Sequence, residues 1–298
     1  MKVSLRRYRF TATFLLAFFA FSGGCSRLSS KEITPCPPKQ TVEQVFSQAQ
    51  AHSRGFLPLR ASGRCRLHFH DEKGKEYKED LSIKLLVYPP RRIYLQGDAL
   101  IPKALILGAN DEDFWVWAKP KEIDSYWWGK MDSPCLAQML LNPNTFLESL
   151  GILTFQSAGA QSKKWTLAGQ GRFDILQEYS DDGTLQKKVY LDRCDYLVRK
   201  IEYFTSGVKP AIVAELDNYT QVRKEFFVPA NITIQWRGQN SKSDSAVIKL
   251  RPGSMKIPDL SQSKQDRLFT RPVPKDVANI YEIDEDCQVR RQPAIQEH

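Results

Sequence analysis

Residues 81–130 read LSIKLLVYPPRRIYLQGDALIPKALILGANDEDFWVWAKPKEIDSYWWGK. Leu81, Ile83, Leu85 and Val87 fall on one side of a period-two pattern, the signature of a strand with a buried face. Pro89 and Pro90 stop that strand, and the pattern resumes with Ile93 and Leu95 pointing inward. Residues 104–107 then run to Gly108 and the polar Asn110, Asp111, Glu112 and Asp113. Beyond them, residues 114–118 and 123–128 carry Trp115, Trp117, Trp127 and Trp128. Such a run is a β-meander rich in aromatic side chains. Trp115 and Trp117 share one face of a strand, whereas Trp127 and Trp128 point to opposite faces of the next. The aromatic face serves either as plain hydrophobic core or as the lining of a site for something apolar.

Outward from the meander the pattern stays β. Residues 59–70 and 75–88 form a hairpin around the turn at 71–74. Ahead of it, Val42, Val45, Phe46 and Ala49 have helical spacing over residues 40–55, with Thr41 as a cap and Gly55 as a stop. After the tryptophans, residues 132–150 hold one or two helices broken at Asn142-Pro143-Asn144, the natural candidate for a plug or lid. Strands return at 163–168 and 173–179, turn at Asp181-Asp182-Gly183 into 184–191, and continue at 197–204, 211–219, 226–236 and 246–250. Roughly a dozen strands with short connections and no βαβ rhythm predict an antiparallel sheet. Residues 252–274 close the domain with a turn and a short amphipathic piece around Leu260, Leu268 and Phe269. The polar, acidic stretch 273–298 reads as a disordered tail.

Residues 1–24 are an address. Lys2, Arg6, Arg7 and Arg9 precede an apolar run, 10–21, too short to span a bilayer, and Ser22-Gly23-Gly24 leads to Cys25. The arrangement is similar to a bacterial lipobox, with Ser22 standing where leucine is usual. That similarity implies a lipidated Cys25, an anchor that holds the chain to a membrane when more than one acyl chain is attached. The other reading is an ordinary signal peptide followed by an incidental cysteine. Residues 25–39, with Pro35, Pro37 and Pro38, form a tether, leaving 40–272 as the folded domain. The formal charge of +9 falls to +5 once residues 1–24 are removed, leaving 39 basic against 34 acidic residues. Anionic lipid surfaces suit that balance, although dispersed lysine and arginine also serve simply to solvate a surface. No basic block with interleaved aromatics points to nucleic acid.

Motifs for chemistry are scarce. The chain has no G-x-S-x-G, no H-E-x-x-H, no phosphate-binding glycine loop and no dinucleotide fingerprint, so no catalytic residue and no cofactor is assigned. His68 and His70 share a strand face with Arg64 and Arg66, whose charge opposes a cation, so no metal site is assigned there. Five cysteines follow Cys25: Cys36, Cys65, Cys135, Cys194 and Cys287. In an oxidising compartment they make at most two disulfides of undetermined connectivity, or they remain isolated buried thiols.

The order of elements over residues 41–272 resembles the LolA/LolB superfamily of bacterial lipoprotein carriers. The resemblance rests on the Tyr88-Pro89-Pro90 corner, RRIYLQGDALIP, GANDEDFWVW and FVPANITIQW. It implies a mostly β fold: an unclosed, curved antiparallel half-barrel of about eleven strands, with helices plugging its open side. It also implies a monomer that binds lipid or an acylated protein in a hydrophobic cavity, without catalysis, in the bacterial envelope at the outer membrane facing the periplasm. On this reading Leu85, Val87, Ile93, Leu95, Trp115, Trp117, Ile232, Ile234 and Trp236 line the cavity. Leu100, with Ile101, takes the place of the exposed leucine that delivers cargo to the membrane, unless the two pack at the barrel rim. The alternative role is a structural lipoprotein using the same sheet as a scaffold for an envelope protein or cell-wall partner. An envelope hydrolase is a third reading that no motif supports.

Overall fold

The computed structural model describes residues 36–53, 57–70, 74–119, 124–133, 143–151, 164–205, 209–237, 242–274, 277–286 and 288–292. The signal and Cys25 therefore lie outside the described residues, as do Cys135 and Cys287. Among the described residues one sheet of fifteen strands dominates, unclosed and curved, with no further strand paired to β7 or β15 at its ends. Its first six strands are β1 (Leu59–His70), β2 (Glu76–Tyr88), β3 (Arg92–Asp98), β4 (Leu105–Ala109), β5 (Asp113–Ala118) and β6 (Ser125–Lys130). Seven more follow the helical segment: β7 (Lys164–Gln170), β8 (Phe173–Tyr179), β9 (Leu185–Asp192), β10 (Val198–Tyr203), β11 (Ile212–Arg223), β12 (Phe226–Arg237) and β13 (Ser243–Leu250). The last two, β14 (Asn279–Ile283) and β15 (Val289–Gln292), come from the tail. Among the described residues three α-helices accompany them: α1 (Val42–Ser53), α2 (Pro143–Ser149) and α3 (Gln262–Phe269).

Three expectations are corrected here. The strand count is fifteen rather than about eleven, and the sheet is not wholly antiparallel, because β14 pairs with β6 in parallel. Nor is 273–298 a uniformly disordered tail. Ile280 and Ile283 are buried, and Tyr281 stacks on Trp127 with ring centroids 4.2 Å apart. The physical reason is an edge: without β14, β6 would present unpaired backbone groups. Glu282 and the arginines around it make the segment look like tail, because polar side chains belong on an edge strand. At the other end, the stretch that reads as tether stops short of Cys36, which is disulfide-bonded to Cys194. Lys39 is tied to the sheet as well, its backbone N–H donating to Asp174 at 3.1 Å.

Register gives each face of the sheet a continuous identity. Leu85 lies opposite Leu95, Leu95 opposite Leu107, and Leu107 opposite Val116. In the other direction Ala61 is opposite Leu85, while Ile232 pairs with Ile248 and Leu216. All of these sit in one apolar cluster with Val45 and Ala49 of α1 and Phe146 and Leu147 of α2. This is the helix face. A fully buried leucine or isoleucine contributes about 1.5–3 kcal/mol by leaving water, so this cluster is the main source of stability. α1 is capped as its sequence predicts, with Thr41 Oγ1 accepting from the Gln44 N–H at 3.3 Å.

The opposite face is crossed by residues 251–274, which form a strap. Its start is fixed to β1, where Ser254 Oγ accepts from the Ser62 N–H and donates to the Ser62 carbonyl, both at 2.9 Å. Further along, Phe269 meets Tyr88 edge-on, and the Phe269 carbonyl accepts from Asn110 Nδ2 at 3.0 Å. Tyr126 OH donates to the Pro272 carbonyl at 2.9 Å, and Arg271 lies over the Trp128 ring at 3.9 Å.

Candidate functional site

The nine expected lining residues do not share one face. Leu85, Val87, Ile93, Leu95, Ile232 and Ile234 are buried on the helix face, and Trp236 packs beside them partly buried. Trp115 and Trp117 are on the strap face, in a second cluster with Ile106, Tyr126 and Ile280. The period of two dictates this, since Val116 faces Leu107 and its two tryptophan neighbours must turn away. Both alternating sets of β5 are apolar, so the pattern alone does not separate core from site. Gly108 has a specific job beneath Trp115: a Cβ there would lie 2.2 Å from the indole ring. Trp115 is almost fully buried, and neither its Nε1 nor that of Trp117 has a hydrogen-bond partner among the described residues.

On the helix face, α2 covers the cluster with Phe146, Leu147 and Leu150. It also brings a charge inside. Lys187 on β9 bonds Glu148 of α2 at 2.9 Å and Glu178 of β8 at 3.1 Å, while Tyr203 OH donates to Glu148. Burial alone would lower the Lys187 pKa, but the two carboxylates override it and hold the ammonium well above its usual range. Burial and Glu148 together push the Tyr203 phenol far upward, keeping it a donor. These polar side chains pin a short helix over an apolar surface. Cys65, on the same face, is a free thiol pushed up to about 12 by burial, which makes it unreactive.

Two large grooves are formed by the described residues, of which the strap lines one. One, of about 1440 Å³, runs between the outward side chains of β1–β5 and β13 and the strap. Its floor includes Tyr94, Ile106, Trp115 and Trp117, with Leu260 and Leu268 from the strap. Among the described residues, nine lysines and arginines line it against one carboxylate, Asp98. The other, of about 1390 Å³, lies over β8–β12. The cations among its lining residues are each paired: Arg199 with Asp195, Arg172 with Asp192, and Lys200 with Glu202 at 2.8 Å.

Between β3 and β4 the chain displays Leu100 fully exposed and Ile101 44 % exposed. The loop is braced from below. Asp98 accepts from the Lys103 N–H at 2.7 Å and from Gln96 Nε2 at 2.8 Å, bonds that hold its carboxyl below the usual range. Lys103 itself adopts φ +55°, in the left-handed region. Elsewhere His68 bonds Glu76 and His70 bonds Asp244, each at 2.7 Å, so both histidines are engaged by carboxylates. Cys25 lies outside the described residues.

The geometry defines an open, two-faced β-sheet protein with a plugged apolar face and a cationic groove behind it. No family model matches the chain, and no curated protein does. Solved structures do match. One, described as an outer membrane lipoprotein-sorting protein domain from Vibrio parahaemolyticus, is 11 % identical, covers 75 % of this chain and 95 % of that one, and has a TM-score of 0.49. A LolA superfamily protein from Nitrosomonas europaea is 12 % identical over 78 % of this chain and 99 % of its own, with a TM-score of 0.48. A DUF1329 family protein from Desulfovibrio piger is 10 % identical over 78 % and 98 %, with a TM-score of 0.47.

Proposed function

We propose that this chain is a lipid-anchored protein of the bacterial envelope that binds acyl chains, of a lipid or a lipoprotein, without covalent chemistry, and passes them to a membrane. The observation that carries the reading is the Leu100–Ile101 tip. An apolar pair held out by a braced loop gains nothing within the domain and gains about 0.8 kcal/mol per buried CH₂ on entering a bilayer. The helix face supplies the acyl site. Chains take the volume now filled by Phe146, Leu147 and Leu150 when α2 lifts, and Leu85, Ile93, Leu95, Ile232 and Trp236 then line them. Release is reversible, because the next apolar site offers a similar gain.

Flotation with liposomes tests the reading on residues 26–298, which carry neither the apolar run 10–21 nor Cys25. The unchanged loop floats with vesicles, and Leu100→Asp with Ile101→Asp leaves the protein at the bottom of the gradient. Equal flotation of both forms contradicts the proposal. A scaffold role for a protein or cell-wall partner is favoured by one observation: the helix-face residues are already buried by the chain's own side chains. A photo-crosslinking residue in place of Trp236 on the helix face separates the two readings, since a scaffold takes up no acyl chain there.

A further inference from the structure

We propose that the groove lined by the strap is a binding site for a phosphate-bearing lipid headgroup, distinct from the acyl site on the other side of the sheet and independent of it. The argument begins with the register. Arg64 on β1 stands directly opposite Lys249 on β13, and Arg60 stands opposite Lys256 of the strap in an isolated bridge. Like charges directly opposite across strands repel, and both pairs line the groove. None of these four cations, nor Arg267 on α3, has a carboxylate partner among the described residues. The single carboxylate of the lining, Asp98, is occupied by Lys84 at 3.3 Å and by the two bonds that brace the Leu100 loop.

Each facing cation pair is a cost to the fold that a phosphate lying against it relieves, since its oxygens accept charge-assisted bonds. The floor fits the remainder of an amphiphile. Trp117, Ile106, Leu260 and Leu268 offer apolar surface for a glycerol backbone and the first methylenes, and Lys119 lies 4.2 Å above the Trp117 ring. A volume of about 1440 Å³ holds a headgroup with short chains. A nucleic acid is a poorer fit, because Trp115 is almost fully buried and offers no ring face for stacking bases.

The test uses the purified full chain in non-ionic detergent, labelled with ¹⁵N at the tryptophan indoles. It is titrated with dihexanoylphosphatidylglycerol, dihexanoylphosphatidylcholine and glycerol 3-phosphate, with Trp117→Phe to assign its signal. The anionic lipid is expected to shift the Trp117 indole resonance at a concentration at least tenfold below that of the zwitterionic lipid. Arg64→Gln with Lys249→Gln, both exposed and unpaired, is expected to weaken the anionic lipid roughly 25-fold, about fivefold per cation near an anionic headgroup. Lys200→Gln in the other groove leaves it unchanged. Equal binding of the two lipids, or no loss in the double variant, overturns the proposal. Glycerol 3-phosphate binding as tightly as the anionic lipid would make the site one for free phosphate esters and overturn its assignment to lipid.

Discussion

The two grooves have nearly the same volume, about 1440 and 1390 Å³, and are floored by the same sheet, yet they treat charge in opposite ways. Over β8–β12 the arginines and lysine meet carboxylates of the chain itself. Behind the meander, arginine faces lysine. Folding selects for the first arrangement, because paired charges satisfy each other on burial. The second leaves its cations to solvent or, on the proposal above, to an anion from outside the chain. The helix face extends the lesson, since there the one buried ammonium is paired twice, to Glu148 and Glu178.

The comparison breaks most readily at Lys187. Lys187→Met strands two buried carboxylates, and urea unfolding should show a loss of about 3–5 kcal/mol. A loss under 1 kcal/mol would mean that α2 is not pinned by this contact. Next comes the disulfide, whose Cys194 lines the groove over β8–β12 and whose closure spans 158 residues. Replacing Cys36 and Cys194 by serine should cost about 2–5 kcal/mol and free Lys39 from Asp174.

A smaller effect is expected at Asp192. Burial pushes its carboxyl up, but the Cys194 N–H and the Arg172 and Arg199 guanidinium groups outweigh that and set it below the usual range. A carboxyl depressed in the folded state stabilises above the ordinary value of about 3.9 and loses that contribution as pH falls through its folded value. Asp192→Asn should therefore cost about 1–3 kcal/mol at pH 7, with the gap to the unchanged protein narrowing by pH 3. The smallest effect has the opposite sign. Arg64→Gln removes a like-charge pair and should raise stability by about 0.2–1 kcal/mol, and a loss would show that Arg64 has a structural partner after all.

Much of the architecture was legible in the residues. Leu81 to Val87 and Ile93 to Leu95 announced their strands, Thr41 its helix, and Pro143 the start of α2. Three features were not legible, each for a physical reason. β5 is apolar on both alternating sets, so its tryptophans were grouped with Leu85 although the pleat sends them to the other face. β14 carries only Ile280 and Ile283 as buried apolar residues, too weak a signal for a strand that covers an edge. The cationic groove is assembled from residues up to two hundred positions apart, and only the β1–β13 register brings Arg64 to Lys249. Cysteine count set limits on disulfides, but the approach of the β9–β10 turn to Cys36 chose the pair.

The most direct test of the account asks which face holds the acyl chain. A photo-crosslinking phenylalanine analogue placed at Trp236, at Trp117 or at the exposed Lys224 is irradiated in bacterial envelopes fed radiolabelled palmitate, with Cys25→Ser to exclude the anchor. The account predicts acyl label at position 236, at most headgroup-linked label at 117, and none at 224. Label at 117 but not at 236, in a protein that unfolds like the parent, would contradict it.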